Sequence, residues 1–489
     1  VDLGAESGRV ARVTFDGHRF EVDVERRFLH SPHERDGRLH WNMAHLWSEI
    51  AAGLDQLGQQ TTVRSVGVDT FGVDYGLLGS SGQLIEDPVT YRDSGRSDVF
   101  DGLVETHTRE AFYRQTGTQV LPINTLFGLC AELERRPQLL RDTSSMVMLA
   151  DVFHHILSGQ TLTELTAVST SGLFDMQHNR WAWDLIDTVG LPRGIFPEVV
   201  PPGTTLGRIR GELAVGGLST TDVILPAAHD TASAVASITV EGPPSMFISS
   251  GTWSLVGVLT PKPVVTDTTY RLNLTNEAGY PNNIRLLRNL MGLWMVQECR
   301  REWESQGLAY DYADLAELAG REPALISMVD PADNAFLAPG GMPARIQAYC
   351  RDAGLPVPET PAQIVRTIVD SLAMSYRITA EDLRLASGQP IECVRVVGGG
   401  VNNALLQQAT ADATGLSVIT GAAEATVLGN AIVQMIALGE FDGLEQAWDA
   451  VSRSVEERTY QPNNTQPYDD HAELFRGLAA RVRASRGGD

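Results

Sequence analysis

The chain has a single lysine in 489 residues, Lys262, and it stands between two prolines in Pro261-Lys-Pro263. That scarcity excludes several devices at once. A Walker-A loop needs Gly-Lys-Ser/Thr, and a protein kinase needs a strand lysine against the α/β-phosphates. A Schiff-base enzyme needs a lysine that can be buried. Any phosphate held here is therefore expected to rest on backbone amides, hydroxyls, arginines and a metal. Cysteine is scarce too: Cys130, Cys299, Cys350 and Cys393 lie far apart without metal-ligand spacing, and are expected as buried thiols of a reducing cytoplasm. No apolar run approaches the ~18–20 residues of a membrane span. The first ten residues read as strand and turn, not as a signal peptide, and without an initiator methionine the chain reads as trimmed. Positive charge is short as well. The net charge of −23 argues against a nucleic-acid or anionic-membrane surface.

What is present describes a large globular protein: 43% hydrophobic and 20% charged residues. The length suggests two domains of about 200–250 residues each. The most informative stretch is Pro226-Ala-Ala-His-Asp-Thr-Ala-Ser-Ala-Val-Ala-Ser237. One carboxylate, Asp230, stands between an imidazole (His229) and a hydroxyl (Thr231), and only small residues follow. This pattern predicts an acid delivered at a helix start, with Asp230 as a candidate general base.

Other segments supply partners for it. Val1–Val13 predicts a hairpin whose small Gly4–Gly8 turn can aim N–H groups at a phosphate. Asp2 beside it would suit a Mg²⁺ ion that keeps most of its waters. Met246–Val258 predicts a second hairpin with a Ser/Gly/Thr turn, so two hairpins facing a common cleft could grip a polyphosphate. Gly72, in Asp69-Thr-Phe-Gly-Val-Asp74, predicts close approach to a ligand or another chain segment. Asn124 and Thr125 are candidate helix caps as much as ligand contacts. Thr163–Ser171 is rich in hydroxyls, and a helix is expected over 146–159. Residues 289–297 predict a helix with Asn289 and Gln297 on one face. Val394–Asn403 reads as strand, triple glycine and helix start, where an adenine could lie flat. The segment Glu424–Asn430 is expected to pack beside that glycine turn. A hinge is expected at about 236–244, and an acidic, solvated helical tail from 441.

Taken together, the motifs resemble the FGGY carbohydrate kinases. The stretches that carry the resemblance are Asp2-Leu-Gly-Ala-Glu-Ser-Gly-Arg9, Asp69-Thr-Phe-Gly-Val-Asp74, Tyr91-Arg-Asp93 and Leu121-Pro-Ile-Asn-Thr-Leu126. Further on come His229-Asp-Thr-Ala-Ser-Ala-Val235, Ser249-Ser-Gly-Thr-Trp-Ser254, Asn289-Leu-Met-Gly-Leu-Trp294 and Val397-Gly-Gly-Gly400. The resemblance implies an α/β fold of two ribonuclease H-like domains of the actin/hexokinase/Hsp70 ATPase type, with a nucleotide cleft between them. The first domain, 1–238, would hold the sugar and the first phosphate hairpin; the second, 239–489, would hold the second hairpin and the adenine. It implies ATP and Mg²⁺, a ketose as acceptor, and a monomer or small homo-oligomer. Asp230 would be the base on the sugar hydroxyl, with His229, Thr231 and Gly72 as sugar contacts. Ala5, Glu6, Ser7, Gly8, Arg9, Thr252, Asn289, Gln297 and Gly399 or Gly400 would contact ATP. Glu6 stands where the family usually has serine. Two other readings stay open: a kinase for a different ketose, and a non-catalytic actin-like nucleotide switch.

Overall fold

In the computed structural model, residues 1–239 and 242–486 are described, and they divide into two units that are not continuous halves of the chain. The first unit is Val1–Thr239 with Leu259–Leu286 and Glu424–Ser454; the second is the described part of Val240–Val258, Leu287–Ala423 and Val455–Asp489. Part of the expected hinge, residues 240 and 241, lies outside the described residues.

The first unit is built on a four-stranded sheet in the order Phe20–Leu29, Ser7–Phe15, Asp2–Leu3, Asp69–Thr70. Its first three strands form the expected N-terminal hairpin and the one turned by Asp16-Gly17. Asp2–Leu3 runs parallel to Asp69–Thr70, pairing Asp2 with Asp69 in register. Thr70 in turn bridges His229 in parallel, and its N–H donates to Ala228 O at 2.9 Å. Three short segments thus lie side by side, each containing or leading directly into an aspartate: Asp2, Asp69 and Asp230. Two apolar clusters support them, one around Leu3, Trp41, Ile50 and Phe153, the other around Tyr113, Phe127, Phe174 and Ile186.

The second unit repeats that order. Strand Ile284–Met291, which belongs to this unit from Leu287 on, lies beside Trp253–Thr260, then come Ser245–Ser250, Cys393–Val397, Ser417–Thr420 and Arg458–Tyr460. Ser245–Ser250 is antiparallel to its hairpin partner and parallel to Cys393–Val397. The 27-residue helix Pro361–Ser387 backs the unit, starting at a Thr360 cap and ending at left-handed Gly388. As its apolar periodicity predicts, Ile364, Ile368 and Leu372 are buried. All four cysteines are buried, free thiols. Among the described residues no helix is long and apolar enough to cross a membrane.

Several segments depart from their sequence readings. Asn289 lies in strand Ile284–Met291, not in a helix with Gln297; the helix begins at Trp294. Gly292 separates the two because a Cβ there would lie 2.6 Å from Trp253 C, so the backbone passes too close to the hairpin for a continuing helix. Ser145–Met148 is a strand, and the helix runs over Leu149–Ser158 only. Helix Gly95–His107 carries too weak an apolar stripe to be read from sequence; only Val99 and Phe100 are its buried large apolar residues. A 3-10 turn over Gly399–Asn402 intervenes before helix Ala404–Thr414. The tail is packed rather than solvated: helix Leu444–Ser454 buries Leu444, Ala447, Trp448 and Val451, and Arg458–Tyr460 joins the sheet.

Helix Ala425–Ala437 packs on helix Asp230–Ala236, and Gly429 lies so close that a Cβ would sit 1.7 Å from Ser233 O. The run of small residues after Thr231 makes that approach possible. Gly429→Ala is expected to force the two helices apart at a cost of about 1–3 kcal/mol. Urea denaturation of variant and wild type would read the loss, and unchanged stability would remove the close packing from the account.

Candidate functional site

Asp230 opens helix Asp230–Ala236, with His229 at the capping position before it. Its side chain is about three-tenths exposed, whereas the neighbours Thr231 and His229 are buried. Two donors converge on a single oxygen, with an imidazole nitrogen nearby. Asp230 Oδ1 accepts from Thr231 N at 2.5 Å and Thr231 Oγ1 at 3.0 Å, and His229 Nε2 stands 3.4 Å away. Oδ2 takes part in none of these contacts. A carboxylate anchored through one oxygen and exposed through the other is geometrically suited to accept a proton from a bound hydroxyl.

The hydroxyl-rich stretch Thr163–Ser171 positions this loop. His229 N donates to Thr166 Oγ1 at 3.1 Å, Val73 N to Thr170 Oγ1 at 3.0 Å and Ala278 N to Ser169 Oγ at 3.0 Å. Three hydroxyls from five residues therefore staple three separate segments. Gly72 belongs to one of them: a Cβ on it would lie 2.8 Å from Thr170 Oγ1, so the close approach expected from sequence is to protein. Val73 next to it holds φ at 69°, a left-handed conformation that is costly for a β-branched residue. Its N–H to Thr170 and its carbonyl, which accepts from Thr125 Oγ1 at 2.7 Å, hold that conformation in place. Asn124 sits at the cap position of helix Thr125–Arg135, but its side chain accepts from Leu121 N instead of capping.

Three carboxylates share the ends of the aligned segments. Asp69 is fully buried, accepts from Asn430 Nδ2 at 2.5 Å, and its Oδ1 has no hydrogen-bond partner among the described residues. Burial, then the Asp2 charge, pushes its carboxyl well above the usual range. Asp2 is likewise pushed up by burial, and Arg9 opposes that rise. Both Arg9 contacts, from Nε at 2.8 Å and Nη2 at 2.5 Å, fall on Asp2 Oδ2. Arg9 also pairs with Glu424 at 2.7 Å.

The turn of the first hairpin is shorter than expected. Only Gly4, Ala5 and Glu6 form it; Ser7, Gly8 and Arg9 already belong to the strand Ser7–Phe15. Gly8 faces the core, where a Cβ would lie 2.3 Å from Phe28 Cζ, so its smallness serves packing.

In the second unit the predicted residues gather around the other hairpin. Gly292 N and Trp294 N donate to Thr252 O at 3.0 and 3.2 Å, which ties the turn to the helix carrying Gln297. Gln297 Oε1 is buried without a hydrogen-bond partner among the described residues. On another side of the hairpin, Cβ atoms on Gly398 and Gly400 would lie 2.8 Å and 2.0 Å from Ser250 atoms. Gly399 differs, with nothing within 4 Å of its Cβ position. Of the three glycines, it is the one whose surface is open.

Sequence reasoning missed Glu164, Glu277 and Arg285. Glu164 and Glu277 are single acids within polar or mixed stretches, and Arg285 is one arginine among many, so no spacing singled them out. Glu164 Oε2 accepts from Thr166 Oγ1 at 2.6 Å, Ala167 N at 3.0 Å and Ala228 N at 3.1 Å, tying the His229 loop from below. Arg285 and Glu277 flank the His229 ring.

Two solved structures share this fold. A xylulose kinase from Lactobacillus acidophilus superimposes with a TM-score of 0.81 at 14% identity, covering 99% of this chain and 98% of that one. A Plasmodium falciparum glycerol kinase with ADP gives a TM-score of 0.77 at 13% identity, over 98% and 97% of the two chains. The sequence is more specific. The N-terminal domain of the FGGY family of carbohydrate kinases matches residues 1–237, and its C-terminal domain matches 246–438. The chain belongs to that family, and so is an ATP-dependent sugar kinase and not a nucleotide switch. It is 38% identical over 468 residues to the rhamnulokinase of Enterococcus faecalis, covering 95% of this chain and 94% of the relative. The rhamnulokinase of Bacteroides thetaiotaomicron is 36% identical over 96% of each chain.

Glu164 gives the site a pH signature. Burial, outweighing its hydrogen bonds, pushes its carboxyl up from 4.5 to about 7. The folded protein then binds a proton more tightly than the unfolded chain. The stabilisation is fully present below pH 4.5 and is lost as pH rises through about 7. At ~1.4 kcal/mol per unit the loss is of order 3 kcal/mol. Glu164→Gln keeps an acceptor for the same donors and cannot ionise, so its stability should stay flatter than wild type across this window. Chemical denaturation at a series of pH values measures both slopes; equal slopes would assign the pH dependence elsewhere.

Proposed function

We propose that the protein transfers the γ-phosphoryl group of ATP to the 1-hydroxyl of L-rhamnulose, giving L-rhamnulose 1-phosphate and ADP, as a step of L-rhamnose breakdown. The observation that carries the chemistry is Asp230, with one oxygen anchored by Thr231 and the other left to accept a proton. The sugar assignment is supported by the two rhamnulokinases, which match along nearly the whole chain.

A sugar hydroxyl is a poor nucleophile at neutral pH. As it attacks the γ-phosphorus, its proton passes to Asp230 Oδ2 while the bond to the ADP oxygen breaks. Thr231 and His229 keep Asp230 Oδ1 occupied, which orients the carboxylate. Gly72, His229 and Thr231 are the proposed sugar contacts, within a first functional domain of 1–238. The N–H groups of the Ala5–Arg9 segment and of Thr252 are the proposed phosphate donors. Asn289, Gln297 and Gly399 complete the nucleotide site on residues 239–489. The buried Gln297 Oε1 and the open Gly399 surface suit a polar edge and a flat ring respectively.

Mg²⁺ fits a limited role. Among the described residues no group of three or more His, Cys, Asp or Glu is arranged to hold a metal. Asp2 remains, with Arg9 occupying Oδ2, so Oδ1 is the oxygen that would meet a hydrated ion. A divalent ion there would lower the charge on the nucleotide phosphates.

Asp230→Ala is expected to lower ketose phosphorylation by roughly 10²–10⁴-fold while nucleotide binding survives. A coupled ADP-release assay with L-rhamnulose, L-fuculose and related ketoses, together with calorimetric ADP binding, tests both parts. Retained turnover in the variant would take Asp230 out of the base role. Turnover of L-fuculose equal to or above that of L-rhamnulose would overturn the substrate.

A further inference from the structure

His229 has two ring nitrogens, and the structure gives each a different neighbour. Nε2 stands 3.4 Å from Asp230 Oδ1. Nδ1 stands 3.0 Å from Arg285 Nη2 and 3.4 Å from Glu277 Oε2. Arg285 is fully buried, with Nε donating to Ala278 O at 3.0 Å and Nη2 lying 3.2 Å from Glu277 Oε2. A guanidinium can only donate hydrogen bonds. The nitrogen facing it at 3.0 Å must therefore present a lone pair, because a proton on Nδ1 would meet the Nη2 hydrogens head-on. Glu277 Oε2 could receive a proton from Nδ1, but at 3.4 Å it is the more distant of the two. With Nδ1 an acceptor, the ring proton sits on Nε2 and faces Asp230.

We infer that Arg285 is a positioning residue for the phosphoryl transfer. It fixes His229 in the Nε2–H tautomer, which lets His229 donate to Asp230 Oδ1 and turns Oδ2 toward the acceptor hydroxyl. Glu277 compensates the guanidinium charge and holds its plane, since the same Oε2 lies close to both Arg285 and His229. The backbone supports the arrangement from the other side. Ala278 binds Arg285 Nε through its carbonyl and Ser169 Oγ through its N–H, and Ser169 belongs to the hydroxyl stretch that anchors His229 N. Arg285 and Glu277 enter the first unit from beyond residue 258, so a later part of the chain sets the state of the His229–Asp230 pair.

The inference rests on the kinase reading only for its kinetic consequence; the tautomer can be read without any substrate. Full-length protein carrying ¹⁵N-histidine would be examined by NMR, with the His229 ring signals assigned by their absence in His229→Asn. A protonated Nε2 and an unprotonated Nδ1 are expected, and a proton on Nδ1 overturns the proposal whatever the activity. Arg285→Met should shift His229 toward a mixture of tautomers. It should also lower kcat by up to about 10²-fold with KM little changed, the loss expected when a reacting group is misplaced. Arg285→Lys, which keeps a donor and a charge, should recover part of that loss. A raised KM with unchanged kcat would make Arg285 a sugar contact instead, and overturn positioning. Should Arg285→Met not fold, Glu277→Gln decides: His229 is expected to keep its tautomer because the Arg285 donor remains, and a switch to Nδ1–H would make Glu277 the determinant. Wild-type protein inactive on every ketose but with the expected tautomer would count against the substrate reading alone.

Discussion

The constraint on which the first unit depends is the side-by-side alignment of Asp2–Leu3, Asp69–Thr70 and Ala228–His229. Adjacent strands lie only about 4.8 Å apart, so three acids at the ends of neighbouring segments feel one another strongly. The protein does not remove that repulsion; it distributes it. Asp2 keeps a counter-charge in Arg9, Asp69 is pushed toward its protonated form by burial, and Asp230 reaches solvent. Asn430 restrains Asp69 and is itself restrained by Gln434, whose Nε2 donates to Asn430 Oδ1 at 2.5 Å. The helix that supplies both residues is also the one pressed on helix Asp230–Ala236 through Gly429. Acid placement and helix packing are therefore one problem, solved by the same helix.

The two units solve a related backbone problem with different side chains. In each, the first strand is antiparallel to a hairpin partner and parallel to the next strand of the sheet. A glycine-containing turn follows that parallel strand in both cases, at Gly72 and at Gly398–Gly400. At Gly72, Gly398 and Gly400 the missing Cβ is needed for contact with protein, and at Gly399 it leaves open surface. A shared topology thus accommodates one turn closed against threonine and another open on one side.

How much of this was legible in the sequence depends on whether the signal was local. Both hairpins, the helix start at Asp230 and the long core helix follow from turn residues, capping and apolar periodicity, which act within a few residues. Asn289 was misplaced, and the partner of the Glu424–Asn430 segment on helix Asp230–Ala236 was missed, for the opposite reason. Gly292 and Gly429 are fixed by backbone from remote parts of the chain, and a glycine does not reveal what it packs against. Gly72 was correctly marked as a close approach, but only coordinates could show that it approaches Thr170. The hydroxyls of Thr163–Ser171 stood out as a group while their use did not, because each binds a backbone N–H distant in sequence. Arg285 left no trace at all.

The scarcity of lysine gains a physical meaning from that last residue. The buried cations of the first unit are guanidinium groups: Arg96 holds Asp74 and the carbonyls of Val89 and Ile123, and Arg285 holds Glu277, His229 and the carbonyl of Ala278. An ammonium group in such a place sheds its proton readily as burial lowers its pKa, and then becomes an acceptor as well as a donor. A guanidinium remains charged and donates only, in directions fixed by its plane. Against a histidine that distinction decides the outcome. A neutral amine could face either tautomer of His229, whereas Arg285 permits one. The direction of a single proton on the ring thus follows from the choice of arginine, and through it the orientation of Asp230.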